Sequence, residues 1–177
     1  MTNSNPWSIT TRTIVLSAIF GALIVAMQLV GIGSIPVPNI SGALTTLLIP
    51  AILGAVIGGP IVGLFAGLVM GVLYLILFPA FGPITHLPGR LLFPLAAWWV
   101  YNALRGGNKI VAGAVAGAVG AIVNTVVTVG LAVLQGQAPA TFFAAVAPQA
   151  LIEAIACAII IPIIATAVES AMAARGN

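Results

Sequence analysis

Charge is what this sequence has least of. Its 177 residues include five Lys or Arg, two Asp or Glu and one His, so 4% are charged. A soluble domain carries about 25%. So few charges cannot cover a 17.8 kDa globule in water. A mean hydropathy of +1.27 also excludes the disordered chain, which needs low hydrophobicity and high charge. Cysteine is limited to Cys157, which excludes an intrachain disulfide framework and a cysteine-cluster metal site. The single histidine, His86, excludes a His-Glu-x-x-His zinc helix. No G-x-x-x-x-G-K-[ST] loop and no G-x-S-x-G elbow occurs, so the chain carries no ATPase signature and no hydrolase signature. The five basic residues are scattered and form no run, which argues against a nucleic-acid partner. What is abundant is apolar surface, 62% of residues. The class that remains is the integral membrane protein.

No charged residue stands between Arg12 and Arg90, a gap much longer than the roughly 20 residues one helix needs to cross the hydrocarbon core. Gly and Pro mark where it breaks. The expected spans run from about Thr13 to Gly33, Gly42 to Ile57, Pro60 to Phe78, Arg90 to Leu104, Ile110 to Leu134 and Thr141 to Ala174. Between them lie a loop at Ser34–Asn39, a Gly58-Gly59-Pro60 turn, a proline-rich loop at Pro79–Gly89, a polar turn at Arg105–Lys109 and a turn at Gln135–Pro139. Spans two and four are short enough for one of them to be re-entrant. Pro148 and Pro162 are expected to kink the long sixth span. Barrel strands are excluded, because runs such as Ile155–Ala167 are apolar on every face. The polar stretch Met1–Thr13 does not read as a cleaved signal peptide.

The expected fold is therefore an all-α integral membrane protein, six transmembrane helices in a compact bundle. Residues 1–12 form a cytoplasmic segment, 13–174 a single transmembrane domain and 175–177 a cytoplasmic tail. With six spans, Arg12, Arg105, Lys109 and Arg175 share a side with both termini, and Arg90 with His86 lies opposite. Four against one places both termini in the cytoplasm, so the loops at Ser34–Asn39 and Pro79–Gly89 and the Gln135–Pro139 turn face outward.

Small residues recur at helix-contact spacing: Ala18, Ala22 and Ala26 in span one, Gly63, Gly67 and Gly71 in span three, Gly113, Gly117 and Gly120 in span five. Such stripes let membrane helices approach closely, either inside the bundle or against another membrane protein; for span three the reading is internal packing. The fifth stripe continues into Asn124 and Thr128, and Gln149 and Glu153 share a face of span six at i, i+4. A carboxylate at membrane depth normally marks a site. Asn124, Gln149 and Glu153 either bond one another as interhelical glue or line a polar cavity open to the outside. Arg90 is a snorkelling interfacial residue, a partner for Glu153, or an anchor for an anionic group. Trp98, Trp99 and Tyr101 read as an interfacial belt, Glu169 as a solvated interface residue, and His86 as a loop residue or a ligand contact.

These features together resemble the S components of energy-coupling factor (ECF) transporters, of the riboflavin/folate/pantothenate-type group. The resemblance rests on Ala18-x-x-x-Ala22-x-x-x-Ala26; on Ile35-Pro-Val-Pro-Asn39 followed by Leu47-Leu-Ile-Pro-Ala-Ile-Leu-Gly54 and the Gly58-Gly-Pro60 turn; on Gly120-Ala-Ile-Val-Asn-Thr125; and on Gln149-Ala-Leu-Ile-Glu153 followed by Ile161-Pro162. Members of that group often carry Asn where Gln149 stands, which leaves the ligand open. The resemblance implies a non-enzymatic subunit of a prokaryotic cell membrane that binds a water-soluble vitamin or precursor in an outward pocket. It implies docking through Ala18, Ala22 and Ala26 onto a transmembrane coupling (T) subunit that carries two ATPases, and toppling in the lipid bilayer to release the ligand inward. The ligand-binding set it suggests is Asn39, Thr45, His86, Arg90, Asn124, Thr128, Gln149 and Glu153, with no cofactor and no metal. The rival reading is a small autonomous ion-coupled permease or channel, against which spans one to three and four to six show no inverted repeat. A third is a structural assembly factor, which would have no use for polar cavity residues.

Overall fold

The computed structural model describes residues 5–37, 43–77 and 82–175. Asn39, the expected start of span two at Gly42, and the junction at Phe78 and Pro79 lie outside the described residues. Six helices are present among those described: α1 Thr11–Leu29, α2 Leu48–Gly58, α3 Pro60–Leu77, α4 Gly82–Leu104, α5 Lys109–Leu134 and α6 Phe142–Arg175. Between α1 and α2 run two short strands, β1 Ser34–Pro36 and β2 Ala43–Thr45. They pair antiparallel, with Ser34 opposite Thr45 and Pro36 opposite Ala43.

Local chemistry explains where the helices start. Thr10 caps α1 in a reciprocal capping box with Thr13. Asn108 caps α5, its side-chain oxygen accepting from the N–H groups of Ile110 and Val111. Between α2 and α3, Gly59 takes φ +95°, which a side chain resists, and Pro60 then opens α3 where a missing N–H costs nothing.

Of the described helices, four are long and apolar enough to cross a membrane: α1, α3, α5 and the Phe142–Met172 part of α6. The other two depart from expectation in instructive ways. α2 has 11 residues, about 17 Å at 1.5 Å per residue, short of the roughly 30 Å hydrocarbon core. It is apolar all round and buried almost all round, from Leu48 to Val56. Such a helix belongs at the centre of a protein, and α2 packs against α1, α3, α4, α5 and α6. α4, by contrast, is longer than its expected span. It starts at Gly82, so most of the segment read as a proline-rich loop is helical, with Pro88 and Pro94 inside it. Pro83 sits in the first turn, where proline is tolerated, and packing of α4 against both α3 and α5 offsets the hydrogen bonds that Pro88 and Pro94 remove. α6 likewise runs through Pro148 and Pro162.

Two smaller expectations also change. Ser34–Pro36 is strand rather than loop. Tyr101 is no belt residue: it is buried and donates to the Glu169 carboxylate at 2.8 Å, while Lys109 reaches the other oxygen at 2.6 Å. Trp98 packs edge-on to Trp7 with ring centroids 6.0 Å apart, and Trp99 is exposed.

Candidate functional site

The polar side chains of the apolar helices converge at one end of the bundle, the end that holds the hairpin, the start of α4 and the start of α6. There they enclose a cavity of about 130 Å³. Thr45, His86, Arg90, Asn124, Thr128, Gln149 and Glu153 all line it, together with Tyr74, Thr85 and apolar groups such as Val129, Phe142 and Val146. Seven of the eight expected ligand-binding residues thus share one space, and Asn39 lies outside the described residues.

Helical spacing places each pair. His86 and Arg90 stand four apart on α4, Asn124 and Thr128 on α5, and Gln149 and Glu153 on α6, so each pair projects from one face. Close backbone approach then fixes Arg90. A Cβ at Gly67 would collide with the Arg90 carbonyl oxygen, and one at Gly89 with Thr128 Oγ1. Glycine at these positions lets α4 press against α3 on one side and α5 on the other. The Arg90 side chain is 4% exposed. Its Nη1 donates to Asn124 Oδ1 and, at 3.0 Å, to Thr128 Oγ1. The guanidinium lies 4.4 Å from the centroid of the Tyr74 ring, whose π face attracts a cation. Arg90 therefore does not snorkel.

The opposite wall is built from α6 and the hairpin. Glu153, also 4% exposed, accepts at Oε1 from the Thr45 backbone N–H at 2.6 Å and from Gln149 Nε2 at 3.0 Å. Gln149 Nε2 also donates to the Ala43 carbonyl at 2.6 Å. The hydroxyls of Thr45 and Tyr74 are 2.7 Å apart, and Ser34 Oγ reaches the same Tyr74 oxygen at 3.3 Å. So the hairpin is tied to α6 through β2 and to α3 through Tyr74. His86, expected in a loop, is a buried helical residue with its ring 5.9 Å from that of Tyr74. No nitrogen of Arg90 comes within 4 Å of a Glu153 oxygen; among the described residues the ion pair is Lys109–Glu169. Among the described residues, Asn124, Gln149 and Glu153 do not bond one another across helices as glue would: Asn124 holds Arg90, Gln149 holds Glu153 within α6, and all four line the cavity.

Sequence reasoning missed Tyr74, Thr85, Gln135 and Gln137. Tyr74 is the one residue with a hydroxyl in the otherwise apolar α3, which was a usable signal. Thr85 donates to Gln137 Oε1 at 2.7 Å and accepts from Gln135 Nε2 at 2.8 Å. These bonds tie the α5–α6 turn to the start of α4, and nothing local in the sequence announces them.

The three small-residue stripes separate. Ala18, Ala22 and Ala26 are exposed, while Ser17, Gly21 and Ile24 of the same helix are buried. The glycines of α3 and α5 are packed: a Cβ at Gly63 would lie 2.6 Å from Ala55 Cβ, and one at Gly117 2.5 Å from the Cys157 carbonyl oxygen.

A bundle of apolar helices with its polar groups gathered around one cavity has the anatomy of a membrane binding subunit. Residues 12–165 match the family described as ECF transporter, substrate-specific component, and the chain belongs to that family. It is a substrate-binding subunit of a transporter and not an enzyme. Proteins of this family take a small-molecule substrate and work with T and ATPase partners. No curated protein matches the chain.

Proposed function

We propose that the subunit captures a water-soluble vitamin or precursor from outside a prokaryotic cell and hands it inward through a coupling subunit and two ATPases. The observation that carries this reading is the cavity with Arg90 and Glu153 on its walls. A membrane-embedded site lined by charge that is buried but not spent on an internal ion pair is a poor structural element and a good binding element. In this reading both termini are cytoplasmic, as the distribution of Arg12, Arg105, Lys109 and Arg175 favours; α1, α3, α4, α5 and α6 cross the plasma membrane, and the 11-residue α2, too short to cross alone, returns the chain inward together with β2, its last turn accepting from the Arg12 guanidinium at the Ile57 carbonyl, 3.3 Å away. The cavity then lies at the outer end. Arg90 anchors an anionic group of the ligand, Asn124 and Thr128 orient the guanidinium, and Gln149, Glu153 and Thr45 form the facing wall. The hairpin caps the site from above.

Ala18, Ala22 and Ala26 form the docking face for the coupling subunit. Their exposure beside buried neighbours on the same helix supports this, since small side chains allow close approach of a partner helix. The subunit topples in the bilayer on docking and opens its cavity inward. So few charges at membrane depth keep the cost of that rotation low.

The test is purification of the full chain from its native membrane. Copurification with a coupling subunit and ATPases, and mass-spectrometric detection of a retained small molecule, is the expected result. A chain that arrives alone and empty, and that supports no uptake when produced with a coupling module, ends this reading.

A further inference from the structure

The charge pattern of the cavity carries a further step. Arg90 and Glu153 are opposite charges on the walls of one space, each 4% exposed. In a medium of low dielectric, direct contact is the arrangement that best compensates two buried charges. Here they are kept out of contact, beyond 4 Å. Neutral groups from separate elements hold each one. Arg90 is held by Asn124 and Thr128 of α5 and by the Tyr74 ring of α3. Glu153 is held by the Thr45 N–H of β2 and by Gln149 of α6.

These restraints use only part of what each ion offers. A guanidinium has five N–H donors; Nη1 is engaged, and among the described residues the buried Nε meets no hydrogen-bond partner. Both bonds to Glu153 fall on Oε1, so a second carboxylate oxygen remains for a donor. A simple anion would satisfy Arg90 and leave Glu153 as an unmatched buried charge. A simple cation would do the reverse. A ligand with both poles satisfies both walls and leaves the complex without net buried charge. The cavity of about 130 Å³ is small beside the roughly 300–1,000 Å³ of drug-sized pockets, which favours a compact ligand.

We propose that the substrate is a small zwitterion, its anionic group at Arg90 and its ammonium group at Glu153. This rests on the reading of the cavity as the substrate site and adds the ligand's charge pattern to it.

The full chain in nanodiscs is titrated with glycine, β-alanine, 4-aminobutyrate and 6-aminohexanoate, each matched by the carboxylate and the amine of equal length. One amino acid of the series is expected to bind at least about tenfold more tightly than both of its single-pole analogues. Glu153→Gln, of the same shape, is expected to abolish that preference while retaining the carboxylate affinity, and the retained affinity reports that the variant is folded. Arg90→Gln is expected to lose the carboxylates and keep the amines. The proposal is overturned if a carboxylate binds as tightly as its amino acid throughout, if no amino acid of the series binds, or if Glu153→Gln leaves the preference intact. Mass spectrometry of molecules retained by the chain from native membranes separates the two levels. A retained monoanion removes the zwitterion and keeps the substrate-binding subunit, whereas a retained amino-acid-like molecule supports both.

Discussion

Helices α1 and α5 carry the same kind of stripe and meet opposite fates. Both repeat small residues at close to one turn's spacing. On α5 the stripe is consumed inside the subunit: a Cβ at Gly113 would lie 2.9 Å from Pro162 Cα, and Gly117 faces the Cys157 carbonyl. On α1 the stripe of Ala18, Ala22 and Ala26 is exposed, and packing against α2 and α3 falls to other residues, Gly21 among them. The lesson is that a small-residue stripe states that something will come close, not what. Where neighbours lie on both sides, as α4 and α6 do around α5, the answer is internal. Where a helix lies at the rim, the stripe stays exposed. The α5 stripe also continues into Asn124 and Thr128, so the packing that brings α4 and α6 close also brings Arg90 and Glu153 to one cavity.

That contrast is open to attack. The largest effect is expected from Gly117→Leu, which places a branched side chain where the Cys157 carbonyl stands. Overpacking of this kind costs about 1–3 kcal/mol and occasionally more; against backbone the upper end applies. Loss of the monodisperse peak in detergent chromatography, or a large fall in melting temperature, is the expected reading. A stable, normally eluting Gly117→Leu subunit would break the comparison at its α5 end. Ala22→Trp probes the α1 end. It should leave the subunit folded and its ligand affinity near normal, yet abolish copurification with the coupling subunit and transport. If bulky residues at Ala18, Ala22 and Ala26 together leave the complex intact, α1 has no docking face.

Substitutions around the cavity sharpen the comparison without breaking the fold. Arg90→Gln removes the charge and should bind substrate weakest; Arg90→Lys keeps the charge but loses the planar fork and should fall between it and wild type. Three equal affinities by calorimetry would remove Arg90 as an anchor. Asn124→Ala and Gln149→Ala each delete one hydrogen-bonding partner of a buried ion, a cost of about 1–3 kcal/mol, or a roughly five- to 150-fold loss of affinity. Unchanged affinity in both, with the fold retained, returns these residues to structural glue. The smallest effect belongs to the opposite end of the bundle. Lys109 is 58% exposed in its pair with Glu169, and pairs of this kind contribute about 0–1 kcal/mol. Lys109→Gln should therefore change the melting temperature little and ligand affinity not at all.

The sequence by itself determined the class. Seven charges in 177 residues leave no solution but the bilayer. It also determined most of the helices, because periodicity, capping and proline placement act within a turn or two of the chain. It picked out Arg90, Asn124, Thr128, Gln149 and Glu153, because a polar group amid apolar residues is conspicuous wherever it stands. Tertiary structure alone decided the rest. Local rules read Pro79–Gly89 as a loop, whereas packing between α3 and α5 keeps it helical from Gly82. Tyr74, Thr85, Gln135 and Gln137 joined the polar network through partners 29 to 52 positions away. Whether Arg90 would pair with Glu153 depended on where α4, α5, α6 and the hairpin stop one another. Contacts at that separation are fixed by the steric fit of whole helices, and no local pattern in a single chain encodes them.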